Sequence, residues 1–260
     1  MKPSIHSKAK AALLTAGPIA LLLAAWWWVT WRKMIDRLIL PGPAAVSRAF
    51  GELLLQQLIP DLLHTLGRTL AALSLAAVIG IPAGLWFGLH VRAYKAVEGI
   101  IHALRSVPAA ALFPLFLVAI GVGESSLIAL ATYNSLMVIL INTVTGTLLA
   151  NESRLYHARL LGLGSWSLTT EVLFWEALPH ILGGLRIALG YCLALVIAVE
   201  MFIGVSQMGL GRKIYEFQAA YRTPETYAPI IVTSTLGIAM NLILGWVERR
   251  ALRWHPDSKF

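Results

Sequence analysis

Glu200 is the ionisable residue that stands out most from its surroundings, because it lies near the end of an apolar run that begins around Ile181. A carboxylate inside such a run is costly in lipid and normally faces a cavity or a partner, which makes Glu200 a candidate gate or path residue. The plainer alternative is a residue of the last helical turns that reaches the headgroup region. Arg186, near the opposite end of the same run, reads as an interfacial anchor. A second apolar run, 126–149, carries Tyr133, Asn134 and Asn142, with Met137 as a flexible apolar neighbour. Asn134 is suited to hydrogen-bond a solute in a translocation path or, equally, another helix. Groups that make or break covalent bonds are missing. The chain has no GxxxxGK[ST] loop to grip nucleotide phosphates, no HExxH, no nucleophile elbow and no clustered His/Cys set. Gly209-Leu210-Gly211-Arg212 is too short for a phosphate loop, and a lone Cys192 excludes an intrachain disulfide. The expectation is a protein that is no enzyme and holds no metal or cofactor.

The second feature is a polar stretch, Tyr156 to Arg186, that interrupts mostly membrane-grade sequence. Ala158 and Gly162 stand four apart, so on a helix they share a face almost without side chain, where another protein can approach the backbone. Trp166 follows at a further four-residue step and would serve as an aromatic anchor in a partner's pocket. A short surface helix packed on its own protein is the bland alternative. Glu176 and His180, on either side of Pro179, are expected to stay hydrated at the membrane boundary.

These residues are positioned by a chain of 260 residues that is 58% hydrophobic and 13% charged, with a mean hydropathy of +0.72. Such a composition is that of a polytopic membrane protein, and runs near 20 residues favour helices over the short alternating strands of a barrel. The net charge of +8 lacks the basic stripe with interleaved aromatics of a nucleic-acid binder, so no nucleic acid is expected. Six spans are read: Ala11–Thr30, Leu66–Leu89, Val107–Val122, Ser126–Leu149, Ile181–Gly204 and Tyr227–Val247. The first is no signal peptide, since it is long, holds Pro18, and ends in Trp26-Trp27-Trp28 and Trp31, an interfacial aromatic belt. Pro41-Gly42-Pro43 is a turn before an amphipathic run, and His90–Ser106 is a basic connection. The short third span is expected to start its first turn within that connection. Gly80, Gly84 and Gly88 form a face that suits close helix packing.

The pattern Ala158-Arg159-Leu160-Leu161-Gly162, followed by Val172-Leu173 and Ala177-Leu178-Pro179, is similar to the cytoplasmic EAA loop of bacterial ABC-importer permeases. It resembles the branch that includes the taurine, aliphatic sulfonate, nitrate and bicarbonate importers. The LPGP stretch, the SVP and PLF pieces with Gly121-Val122-Gly123-Glu124, and Val199-Glu200 before Gly209-Leu210-Gly211 extend the likeness over nearly the whole chain. Tyr156 and His157 depart from the family's Glu and first Ala, and Phe174-Trp175 from its Leu-Pro.

The resemblance implies an all-α type I importer permease fold, a single domain over 1–260, with a coupling loop at about 151–180. It implies ATPase contact by Tyr156, His157, Ala158, Arg159, Gly162 and Trp166, and a gating or structural role for Glu200. It further implies two ATPase subunits, a periplasmic binding protein and a second copy of the chain as partners, in the bacterial inner membrane. A small anion would be the solute. With both termini cytoplasmic, 13 Lys and Arg fall inside and 8 outside, the positive-inside bias that this topology requires. A stand-alone carrier or channel and a membrane scaffold are the readings from other classes.

Overall fold

The computed structural model describes residues 5–202 and 206–254; the side chains of 5–16, 55 and 56 lie outside that description. All regular structure among the described residues is helical. Helix α1 is Ile5–Trp31, α2 Pro43–Leu53, α3 Ile59–Leu89, α4 Val91–Ser106, α5 Ala109–Ile120, α6 Glu124–Leu148 and α7 Glu152–Leu160. Helix α8 is Ser165–Glu200, α9 Leu210–Ala219 and α10 Thr223–Ala251. Four of these, α3, α6, α8 and α10, are long and apolar enough to cross a bilayer, and α4 with α5 makes a fifth span if the bent pair counts as one. The expected first span falls on α1, whose described apolar part is Gly17–Trp31. The expected end of the fifth span, Gly204, and two counted lysines, Lys2 and Lys259, lie outside the described residues.

The chain divides into two compact units, Met1–Ile59 with Ile214–Ile231 and Pro60–Lys213 with Val232–Phe260. In the first, Trp27 stacks on Trp31 with ring centroids 5.8 Å apart, and the Arg32 guanidinium lies over both Trp28 and Trp31. The Trp26 indole donates to the Pro41 carbonyl at 3.0 Å, which pins the turn that Pro41-Gly42-Pro43 makes. Helix α2 starts on Pro43, whose fixed φ and missing N–H suit a first helical turn. Its buried Val46, Ala49 and Leu53 fall on one face.

The second unit is built on α3, α6 and α8. Lipid is as apolar as leucine, so these helices gain from close packing rather than from leaving water. The glycine face of α3 serves this purpose: a Cβ on Gly84 would lie 2.5 Å from Thr143 Cβ and 3.1 Å from the Leu140 carbonyl oxygen of α6. On the other side of α6, buried Leu127, Leu130 and Ala131 pack with Cys192, Leu195, Val196 and Val199 of α8 and with Phe113 of α5. Cys192 is thus a small core residue.

Two expectations are corrected. The supposed basic connection His90–Ser106 is helix α4, which exposes Arg92, Lys95 and Arg105 and packs Tyr94 and Ile101 against Leu140 and Val144. It breaks at Val107, held extended (ψ 125°) by the ring of Pro108, and the chain turns 85° into α5. The second correction concerns the polar stretch, which is shorter than expected. Helix α8 begins at Ser165, widens through a π-turn at Leu168–Leu173 and continues through Pro179 to Glu200.

Candidate functional site

Asp61, Thr65 and Arg68 follow one another by four and three residues on α3, so they share a helix face, and all three are buried. That face meets the end of α8, where Glu200 is 0% exposed. Its carboxylate accepts from Thr65 Oγ1 at 3.0 and 2.9 Å, from Arg68 Nη1 at 2.7 Å and from the Gly211 amide at 3.0 Å. Arg68 also donates to the Met208 carbonyl at 2.6 Å and, through Nη2, to Glu124 at 2.5 Å. Asp61 accepts from the Gly209 amide at 2.7 Å, and Thr65 Oγ1 accepts from the Leu210 amide at 2.9 Å.

Apart from the Arg68–Glu124 pair and the Arg68 Nε, which is buried without a partner, these groups serve the same end: three side chains of one helix and the carboxylate of another grip the 208–211 backbone. Gly209 is required on two counts, since its φ is +137° and a Cβ there would lie 2.5 Å from the Glu200 carboxyl carbon. Arg68 stands between two carboxylates of unlike environment, Glu200 fully enclosed and Glu124 with a side chain 57% exposed. A buried ion pair holds only if its remaining lone pairs and protons are matched, and Glu200 meets that condition through Thr65 and Gly211.

The headgroup-facing reading of Glu200 is therefore wrong, and its junction with the 209–211 loop is direct. Asp61 and Thr65 are not among the candidates read from the sequence, and Arg68 enters there only as one of the eight Lys and Arg placed outside. The signal was available. A carboxylate within an apolar helix needs a counter-charge, and Arg68 follows Asp61 and Thr65 on one face of the apolar helix α3.

At the other end of α8 the polar stretch forms a capped helix. Asn151 Oδ1 accepts from the Ser153 and Arg154 amides at 3.0 and 3.3 Å, satisfying the free donors of α7. The helix closes with the Leu163 amide bonded to the Ala158 carbonyl and the Gly162 amide to the Arg159 carbonyl, around Gly162 at φ +82°. This corrects the expected small-residue face. Ala158 is only 6% exposed and Gly162 is the left-handed residue that stops the helix, so Ala158, Gly162 and Trp166 do not share one helical surface. What projects instead is a knuckle of Tyr156, Leu160, Leu161 and Trp166, the last 80% exposed, flanked by exposed His157 and Arg159.

Glu176 of α8, expected to stay hydrated at the boundary, has a side chain only 14% exposed, pairs with Arg154 and accepts from the Asn151 amide at 3.3 Å. The ion pair ties the start of α7 to α8. The His157 Nδ1 lies 2.6 Å from the Ser153 carbonyl, one turn back. On α6, the Tyr133 hydroxyl is taken by the Leu104 carbonyl at 2.9 Å and fastens α6 to α4. Asn134 and Met137 are half-buried, and the Asn134 side chain makes no hydrogen bond among the described residues. Asn142 donates to its own helix at Val138. These polar residues of α6 do not converge with Glu200 on a common site.

Four or five apolar helical spans among the described residues, with an exposed apolar knuckle at one end of the longest helix and a buried ion-pair knot at the other, define a multi-pass helical membrane protein. Residues 76–253 match the family described as binding-protein-dependent transport system inner membrane component, and the chain belongs to that family. It is 30% identical over 253 residues to the taurine transport system permease protein TauC of Escherichia coli (strain K12), covering 94% of this chain and 90% of that one. A probable ABC transporter permease protein of Brucella abortus (strain 2308) is 30% identical over 221 residues, covering 85% and 88%. A putative aliphatic sulfonates transport permease protein, SsuC, of Bacillus subtilis (strain 168) is 28% identical over 237 residues, covering 90% and 85%.

Among solved structures, the inward-facing MetNI methionine ABC transporter aligns with a TM-score of 0.67 at 20% identity, over 76% of this chain and 97% of that chain. The fold is thus that of type I importer permeases, and the chain is the membrane permease subunit of an ABC importer rather than a carrier or a scaffold.

Proposed function

We propose that two copies of this chain form the pathway through which a small anion enters a bacterium across its inner membrane, with both termini cytoplasmic. A periplasmic binding protein delivers the solute, and two ATPase subunits dock on the knuckle formed by Tyr156, His157, Arg159, Leu160, Leu161 and Trp166. The whole chain acts as one permease subunit. The anion class rests on relatives named for taurine, aliphatic sulfonates and nitrate.

The observation that carries this reading is the mechanical continuity of α8. About a third of the way along it, Glu176 pairs with Arg154 of the docking helix α7, and its end holds Glu200 against α3 and the 208–211 loop. The continuous stretch of helix between Glu176 and Glu200 spans about 36 Å, at about 1.5 Å per residue. Displacement of α7 by a closing ATPase dimer would be passed along α8 to the knot at its far end. The glycine face of α3 lends nothing to dimerisation, since α6 occupies it.

The test is co-expression with the neighbouring ATPase and binding protein, followed by reconstitution. Trp166→Glu with Leu161→Glu should abolish ATPase association while the chain still inserts in the membrane. ATP-driven uptake with the double variant as efficient as wild type would exclude the knuckle as the docking site.

A further inference from the structure

Helices α8 and α10 border a groove of about 420 Å³ whose polar side chains are those of Arg186, Thr233, Ser234 and Asn241. Arg186 stands at one end and donates from Nε to Asn241 Oδ1 at 2.5 Å; its Nη1 lies 3.6 Å from Glu248. That leaves Arg186 Nη2 and the Asn241 amide NH₂ without a partner among the described residues. Towards the other end the Thr233 hydroxyl is buried without a partner. Between them α8 presents Leu189, Leu193 and Ile197, spaced by four residues.

A second guanidinium reinforces the charge. A Cβ built on Gly245 would lie 3.6 Å from Arg249 Nη1 and 4.0 Å from the Arg186 guanidinium carbon, so two arginines flank the same bare point of α10. With Glu248 the cluster carries a net positive charge. Donors at a cationic end, their acceptors already used, are what an oxyanion requires.

We propose that this groove is a binding site on the translocation path for an organic oxyanion with a short aliphatic stem. It deepens the permease reading above and rests on it. The head lies against Arg186 and Asn241, the stem runs along Leu189, Leu193 and Ile197, and Thr233 meets whatever polar group ends the stem. The size of the groove falls in the ordinary range of small-molecule sites, and a bare inorganic anion would leave its apolar wall unused. The same donors would also fit the phosphate of an acidic lipid headgroup.

The experiment measures direct binding of butanesulfonate to the purified, detergent-solubilised chain, which needs neither the ATPase nor uptake, so its failure is distinct from failure of the permease reading. Wild type should bind butanesulfonate more tightly than sulfate or nitrate. Arg186→Gln should weaken binding about ten- to a hundredfold, the worth of one charge-assisted hydrogen bond. Ile197→Ser, on the wall that holds the stem, serves as a second variant and should weaken binding less, whereas Thr233→Val should leave it unchanged because this probe ends its stem in a methyl group, with unfolding midpoints checked for all. Equal binding by wild type and a folded Arg186→Gln variant overturns the proposal. So does retention of phosphatidylglycerol by wild type, lost in Arg186→Gln, with no butanesulfonate bound, which assigns the donors to lipid.

Discussion

Replacing Glu200 with Gln changes one atom and removes the charge, and the geometry around it sets what that should cost. Both oxygens of Glu200 face donors: Thr65 Oγ1 and Arg68 Nη1 on one, Thr65 Oγ1 and the Gly211 amide on the other. A Gln side chain offers one acceptor and one NH₂, so whichever way it turns, the NH₂ meets a donor. Breaking a buried pair from one side typically costs about 3–5 kcal/mol. Arg68 keeps Glu124 and the Met208 carbonyl, which places the effect near the lower end, about 3 kcal/mol, or roughly two orders of magnitude in the folding equilibrium. Unfolding in mixed micelles should report this loss, and uptake by the reconstituted complex should fall while assembly with the ATPase persists. A double-mutant cycle with Arg68→Met isolates the pairwise energy. A Glu200→Gln chain that unfolds within about 0.5 kcal/mol of wild type and transports normally would refute the claim that this carboxylate ties α8 to α3 and the loop.

Further outcomes follow from other positions. Gly162 has open space where a Cβ would point but a φ of +82°, so Gly162→Ala and Gly162→Leu should cost about the same, roughly 1–2 kcal/mol at the cap, with Gly162→Asn milder; a Leu variant far worse than Ala in ATPase pull-down would point to direct contact at this position instead. Asn151→Ala removes the acceptor of two α7 amides and should destabilise that helix by about 0.5–2 kcal/mol, read as faster amide exchange at Ser153 and Arg154; unchanged protection there would mean that the cap does not hold α7. Gly84→Leu drives a side chain into Thr143 and should unfold or mispack the α3–α6 contact; loss of dimer mass with a cooperatively folded monomer would show that the face serves an intersubunit contact.

Composition and run length alone determined that this chain is a helical, multi-pass membrane protein, because a bilayer leaves few other ways to satisfy apolar backbone segments. The residue pattern around Ala158–Gly162 and Ala177–Pro179 carried the family, and Glu200 announced itself by being a charge where charge is costly. The glycine spacing on α3 was legible too, since bare faces at four-residue intervals mean close helix contact. Sequence could not say which helix fills that face, and the answer, α6, removed it as an argument for dimerisation.

Nor could sequence say that Ala158 and Gly162 part company. Their four-residue spacing is a helical signal, yet the helix ends at Leu160 because Asn151 starts it and Gly162 can adopt the left-handed turn that stops it. The knot around Glu200 joins residues 61–68, 124, 200 and 208–211, and only the close association of α3, α6 and α8 brings their polar atoms into hydrogen-bonding range. Spacing along one helix shows which side chains share a face. Which faces meet is decided by contact among helices far apart in the chain, and that is a property of the tertiary structure.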